Sequence, residues 1–332
     1  MNSAIYHGGN LDAARARFGE PQQGWLDLST GINPVAYPVG DLPLQDWTRL
    51  PSRAAEAELE AIAARRYGLQ DASRLIAAPG TQAIIQALPR LIRARSVAIL
   101  RFTYQEHQAA WRAAGADVRL IETLADAETD GADVVVVVNP NNPDGRLVSS
   151  SDLLAAGNRI HRNGGVLIVD EAFMDVLDPE LSLLPLLPDD GIIVLRSFGK
   201  TWGLAGVRLG FMAGPARLVA DLRAYFGPWA VSGPALTIGQ RALADDAWLA
   251  ATIKRLHADC AAFHEIVQTA SLEIVGGTPL YRLTRHPNAH TLFDRLGRAG
   301  ILVRPFPDRP EWLRFGIPAT DRDRARLREA LA

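Results

Sequence analysis

Four short, nearly unbroken apolar runs recur through the middle of the sequence: Val97–Leu100, Asp133–Val138, Val166–Val169 and Ile192–Leu195. Side chains along a strand alternate between two faces, so a run with no polar alternation suits a strand covered on both sides. Helix-length stretches lie between or beside these runs, at Thr81–Ile92, Gln105–Ala114 and Ser151–Arg162. Such strand–helix alternation predicts an α/β architecture built on a large, mostly parallel sheet.

From about residue 236 the pattern changes. A long Ala-rich helical stretch leads to the short apolar runs Leu272–Val275, Leu280–Leu283 and Leu302–Val303, and a last helix is expected near Arg322–Leu331. The expected organisation is an amino-terminal arm over 1–40 that packs on both lobes, a large domain over 41–235 and a smaller α+β domain over 236–332. A chain of 332 residues is long enough for two lobes and a sizeable core.

Composition removes several function classes. A net charge of -2 argues against a generic nucleic-acid binder, whose affinity rests on phosphate neutralisation. The one cysteine, Cys260, excludes an intrachain disulfide and fits a reducing compartment. No stretch approaches the length of a membrane span, and the start has no signal-peptide apolar core, so a cytoplasmic location is expected. No metal is expected, since the histidines are scattered and Pro287 spoils a helical pairing of His286 with His290.

Ligands of open α/β sheets sit beyond the carboxyl ends of the strands, and each run here ends in polar residues. Asn139–Gly145 follows one, Asp170-Glu171 another, and Arg196–Lys200 a third. Gly199-Lys200-Thr201 has the ending of a phosphate-binding P-loop. That loop needs a glycine five residues before its Gly-Lys pair, and Val194 stands there. Lys200 therefore needs another task.

Chemistry at the carbon of an amino acid supplies one. Pyridoxal phosphate (PLP) needs a lysine to hold it, a carboxylate for its ring nitrogen and donors for its phosphate. Lys200 and Asp170 meet the first two needs. Asn142 suits the phenolic oxygen, and Tyr104 suits stacking on the ring. Pro79–Gln82 opens a helix and offers Gly80, Thr81 and Gln82 to a phosphate, with Ser197 as hydroxyl and Arg208 as cation. Arg314 suits a substrate carboxylate. Structural readings compete at several positions: a helix cap at Asp170-Glu171, a plain turn at Asn139–Gly145, a core aromatic at Tyr104, a structural or solvated arginine at Arg304, a surface ion pair at Arg314, and a flexible terminal histidine at His7.

The ordered set AAPGTQ, NPNNPDG, VDEAF, SFGK and GLAGVRLG resembles the aspartate-aminotransferase fold (fold type I) of PLP enzymes, and most of all the histidinol-phosphate aminotransferases and their relatives. The resemblance spans nearly the whole chain. It implies Lys200 as the Schiff-base lysine, Asp170 as the ring-nitrogen partner, Asn142 as the phenolic-oxygen partner and Tyr104 as the stacking ring. It also implies a phosphate site at Gly80, Thr81, Ser197 and Arg208, a carboxylate site at Arg314, and a homodimer.

His7–Asn10, Leu28–Pro34 and Gly227–Gly233 resemble the L-threonine-O-3-phosphate decarboxylases, a branch of this fold. That resemblance implies a lyase making (R)-1-aminopropan-2-yl phosphate for cobalamin biosynthesis, with an aminotransferase of the histidinol-phosphate type as the alternative. His7, Gly8, Asn33, Asn142, Arg304 and Arg314 are the expected substrate contacts. Three positions depart from the aminotransferase pattern: Leu50 where a tyrosine is usual before Pro51, His107 where an aromatic is usual, and Gln82 where an acidic residue is common.

Overall fold

The computed structural model describes residues 7–129 and 131–332. It divides into two compact units. The larger comprises Tyr37–Asn142 and Arg146–Trp248, and the smaller gathers the described residues up to Ala36, Pro143–Gly145 and Leu249–Ala332.

A seven-stranded sheet organises the larger unit. In sheet order its strands are Leu75–Ala78, Gly210–Ala213, Ile192–Ser197, Val166–Asp170, Val134–Val138, Ser96–Leu100 and Asp117–Ile121. Gly210–Ala213 runs antiparallel to both neighbours, and the remaining pairs are parallel. All four apolar runs are strands of this sheet. Their unbroken composition has a direct cause. Val135, Val137, Leu167, Val169 and Val194 join one core cluster, while Val134, Val136, Ile168, Ile193 and Leu195 join another. Successive residues thus enter different cores, and both faces are dry. Each such side chain contributes about 1.5–3 kcal/mol relative to leaving it exposed.

Helices cover the sheet, with ends set by local chemistry. Ser149 caps Ser150–Arg162 by accepting from the Asp152 amide at 3.1 Å, and Arg159, His161 and Arg162 sit in the last turn, where cations suit the helix dipole. The helix Thr81–Leu91 differs. Gly80 stands at its N-cap with φ +85°, and no side chain caps it.

The smaller unit holds an antiparallel sheet in the order Arg304–Pro305, Trp312–Gly316, Tyr281–Arg285, Glu273–Thr278. The amino-terminal segment is built into this unit. Its helix Leu11–Phe18 places Phe18 edge-on to Phe293, with ring centroids 5.8 Å apart. Leu26–Asp27 pairs in parallel with Ile301–Leu302, and the Gly316 amide donates to the Leu28 carbonyl at 2.6 Å. Phe263, Phe315, Leu296 and Leu327 are buried in the core beneath. Burial pushes the Cys260 thiol up from its ordinary value. Among the described residues, no helix is long and apolar enough to cross a membrane.

Candidate active site

Strand register sets the floor of the site in the larger unit. Val138 pairs with Asp170, and Asp170 with Leu195, while the third strand runs two residues further to Ser197, so Asn139, Asp170 and Ser197 lie at the carboxyl ends of adjacent parallel strands. Asp170 is buried. One carboxylate oxygen accepts from the Ala172 amide at 3.1 Å, and the other lies 2.9 Å from Nε2 of buried His107. The His107 ring meets the Tyr104 ring edge-on at 6.2 Å. The Tyr104 hydroxyl donates to Gln82 Oε1 at 3.2 Å, and Gln82 Nε2 donates to Glu106 at 2.6 Å. Contacts therefore run unbroken from Gln82 through Tyr104 and His107 to Asp170.

Ser197, Gly80 and Thr81 gather around Gly210. Its strand pairs with Ala78 on one side and Ser197 on the other, and a Cβ at Gly210 would stand 2.6 Å from the Thr81 amide nitrogen. Arg208 takes a left-handed conformation, φ 56° and ψ 58°, and its guanidinium would meet a Cβ at Gly80 at 2.8 Å. The uncapped amides of a helix start and a guanidinium thus meet at a patch kept bare by glycine, with Ser197 paired to Gly210 beside it, an arrangement that suits a phosphate.

Lys200 lies in the short helix Phe198–Thr201, directly after a central strand. A Cβ at Gly199 would stand 2.7 Å from Ala205 Cα, so only glycine allows that turn to pack so closely. The Lys200 ammonium stands 5.8 Å from the ring centroid of Phe173, three residues after Asp170. Asn142 is buried at the end of a pinned loop. Asn139 exchanges hydrogen bonds with the Val148 backbone, and Asn141 Nδ2 donates to the Phe102 carbonyl at 2.9 Å.

The smaller unit carries the remaining candidates. Arg314 is buried, donates to the Ser29 carbonyl at 2.8 Å and lies over the Tyr281 ring. Arg304 is its direct cross-strand neighbour, also buried, over Phe306. Burial first, and then the charge of Arg304, push the Arg314 guanidinium down to about 9, against the opposing influence of Tyr281 and Asp27. Gly8 packs on the same Ser29 carbonyl, where a Cβ would come within 2.2 Å, and the Gly9 amide donates to Ser29 Oγ at 2.7 Å. Ser29 therefore joins Gly8 to Arg314, and strand register sets Arg304 beside Arg314. Exposed His7 adjoins Gly8 in the chain. Asn33, four residues beyond Ser29, is buried with its amide oxygen held by Val35 and Arg255.

The family model for aminotransferases class I and II matches residues 42–331. The chain belongs to the aminotransferase class I and II family. Two curated relatives of this aminotransferase-family chain are similar over nearly their whole length. A threonine-phosphate decarboxylase of Pseudomonas aeruginosa is 44% identical, covering 98% of this chain and 97% of its own. A threonine-phosphate decarboxylase of a Sinorhizobium species is 43% identical, covering 100% and 99%. Among solved structures, the histidinol-phosphate aminotransferase of Sinorhizobium meliloti in complex with pyridoxal-5'-phosphate shares the fold, with TM-score 0.85 and 18% identity over 99% of this chain and 94% of the other.

The residues of this aminotransferase-family chain fit that cofactor. They offer an amine at Lys200, a buried carboxylate at Asp170 and a glycine-bared anion cradle beside Arg208. Two features escape a reading of the sequence. His107 reads there only as a departure, yet it packs directly on Asp170. Its signal is faint: a histidine one helical turn beyond Tyr104, on the same face. The second is a buried ionic cluster behind the strand ends. Arg196 pairs with Glu171 and Asp175, each at 3.1 Å, and lies over the Tyr67 ring. Glu171 also accepts from Ser182 and from the Leu183 amide, both at 2.7 Å. Burial first pushes both carboxyls up, and Arg196 opposes it.

Proposed function

We propose that this chain is a PLP-dependent carboxy-lyase that converts L-threonine O-3-phosphate to (R)-1-aminopropan-2-yl phosphate and carbon dioxide, in the cytoplasm, for cobalamin biosynthesis. The observation that carries this reading is the likeness, along the full chain, to curated threonine-phosphate decarboxylases. The paired buried guanidiniums of Arg304 and Arg314 support it, because a substrate with both a carboxylate and a phosphate suits more cationic charge than a carboxylate alone.

When bound, PLP supplies the electron sink for the pair left at Cα as the carboxylate departs. Lys200 holds the cofactor covalently and is the proton donor to Cα afterwards. Asp170, backed by His107, keeps the ring nitrogen protonated. Asn142 donates to the phenolic oxygen and also borders the substrate, and Tyr104 stacks on the ring, steadied by Gln82. Gly80, Thr81, Gln82, Ser197 and Arg208 bind the cofactor phosphate. Arg314 takes the substrate carboxylate, while His7, Gly8, Asn33 and Arg304 take the distal phosphate. These distal contacts select which bond at Cα is broken, because only a bond aligned with the electron sink is weakened.

The proposal includes a homodimer. Leu44, Trp47, Leu50 and Trp229 are each more than half exposed, and Trp47, Leu50 and Trp229 line one cavity of the larger unit. Apolar surface of this kind suits burial against a second copy.

Isotope labelling tests the chemistry. In D2O, decarboxylation places one deuterium on the carbon that lost the carboxylate. A product without that label, or a 2-oxo acid formed from the substrate, would count against the lyase.

A further inference from the structure

Asn33 sits in the smaller unit among charged neighbours. Its Oδ1 accepts from the Val35 amide at 3.1 Å and from Arg255 Nη2 at 2.6 Å. Arg255 Nη1 in turn donates to Asp259 Oδ2 at 2.8 Å, one helical turn along the helix Asp246–Thr269. The other Asp259 oxygen accepts from Arg324 Nη1 at 3.1 Å, and Arg324 is braced by Asp321 and the Pro318 carbonyl. Asn33 and Asp259 are buried.

A carboxamide has an accepting end and a donating end of nearly equal size, so its neighbours decide which way it faces. Both groups at Oδ1 are obligate donors. Rotating the amide would set its NH2 against an N–H and a guanidinium. The orientation is therefore determined, and the end turned away from Arg255 can only donate. Arg255 is well suited to enforce this, because its planar fork serves Asn33 and Asp259 at once and Asp259 is itself anchored.

We infer that Arg255, held by Asp259 and Arg324, is a positioning residue that locks Asn33 as a pure hydrogen-bond donor and thereby tunes the affinity for an amino acid that carries a phosphate. The inference rests on the proposed contact between Asn33 and the substrate phosphate. The oxygens of a phosphate dianion all accept, so a locked donor matches them. A group that must donate, such as an ammonium, is refused at the same place.

The test measures steady-state decarboxylation of L-threonine O-3-phosphate by the PLP-loaded full chain, together with the absorbance of bound PLP. Arg255→Ala removes the guanidinium from Asn33 Oδ1 and keeps the Val35 amide there. Its KM is expected to rise about tenfold, the equivalent of one charge-assisted hydrogen bond, with kcat within about threefold and unchanged PLP absorbance. Arg255→Lys, which keeps one donor, should fall between. Asp259→Asn slackens the anchor without removing Arg255, so it should raise KM less and in the same direction. This variant also decides the matter should Arg255→Ala not fold, and an unchanged KM in it would then overturn the inference.

Asn33→Asp keeps both bonds at Oδ1 and replaces the donor with an anionic oxygen. Its KM is expected to rise by about 100-fold or more through like-charge repulsion. If Asn33→Asp leaves KM unchanged, Asn33 does not touch the phosphate and the reading beneath this inference fails. If Asn33→Asp is impaired while Arg255→Ala keeps KM within twofold, the positioning role alone is wrong. Parallel loss of KM, kcat and PLP absorbance in Arg255→Ala would mark Arg255 as merely structural and overturn the inference too.

Discussion

His107 Nε2 lies 2.9 Å from Asp170 Oδ2, with both side chains buried. An ionised carboxylate only accepts, so the Nε2–H tautomer of His107 suits this contact and would hold Asp170 in place from behind. Replacing His107 with phenylalanine keeps the ring volume and removes the donor. The expected result is about tenfold weaker PLP binding, the cost of one hydrogen bond to a charged group, with a similar fall in kcat. Titration of the apoprotein with PLP, followed by absorbance, measures it. An unchanged affinity would show that Asp170 does not depend on His107.

Asp170→Ala should be more damaging, since it removes the group proposed to keep the ring nitrogen protonated. A fall in kcat of about 100-fold or more is expected, equivalent to roughly 3 kcal/mol of lost transition-state stabilisation. Activity like that of the parent would remove Asp170 from the site.

Arg196 pairs with both Glu171 and Asp175 in the interior. Arg196→Met should cost about 3–5 kcal/mol, the usual penalty for breaking a buried ion pair from one side. The pH dependence has a definite sign. Burial raises both carboxyl pKa values, so the folded state binds more protons than the unfolded state just above the ordinary carboxylate range, and stability falls as pH rises through that window. Removing Arg196 raises these values further. The loss should therefore be greatest near neutral pH and smaller near pH 5, as denaturant melts at the two pH values would show. A loss independent of pH would contradict this account.

Arg314 makes a second pH prediction. Its guanidinium is pushed down to about 9, so the proposed carboxylate receptor of the free protein loses charge as pH rises through that value. The expected result is a decline of kcat/KM above about pH 9, since that ratio reports groups of the free enzyme. Folding stability should move the other way. The unfolded arginine keeps its proton to much higher pH, so above this value the unfolded state binds more protons and stability gains with pH. A flat kcat/KM profile from pH 8 to 10 would argue against Arg314 as the carboxylate receptor.

The sequence contains only two lysines, Lys200 and Lys254. Borohydride reduction of the PLP-loaded protein should fix the cofactor to Lys200 and leave Lys254 unmodified, which peptide mass mapping reads directly. Label at Lys254 alone would remove Lys200 from its proposed role.

Legibility in the sequence follows the range of the forces involved. Val134–Val138 is readable as a strand because burial on both faces leaves a local mark on composition. The strand-end positions of Asp170 and Lys200, which make them site candidates, are readable because strand ends concentrate polar chemistry. Gly210–Ala213 is short and opens on a glycine, and the antiparallel pairing that brings Gly210 beside Thr81 depends on partners far along the chain. The His107–Asp170 contact joins residues 63 apart in sequence, and the Arg304–Arg314 pair exists only through strand register. Pairing of that kind is set by tertiary packing, on which local patterns are silent. Gln82 and His107 look like losses when compared with aminotransferases, but the fold gives each a partner: Tyr104 for Gln82 and Asp170 for His107.

The most direct measurement supplies purified, PLP-loaded protein with L-threonine O-3-phosphate and no 2-oxo acid, and follows carbon dioxide and the aminopropyl phosphate product. Sustained turnover over many equivalents is the predicted result, because a lyase needs no amino acceptor. Absence of carbon dioxide, together with amino transfer from histidinol phosphate or glutamate once a 2-oxo acid is added, would contradict the account.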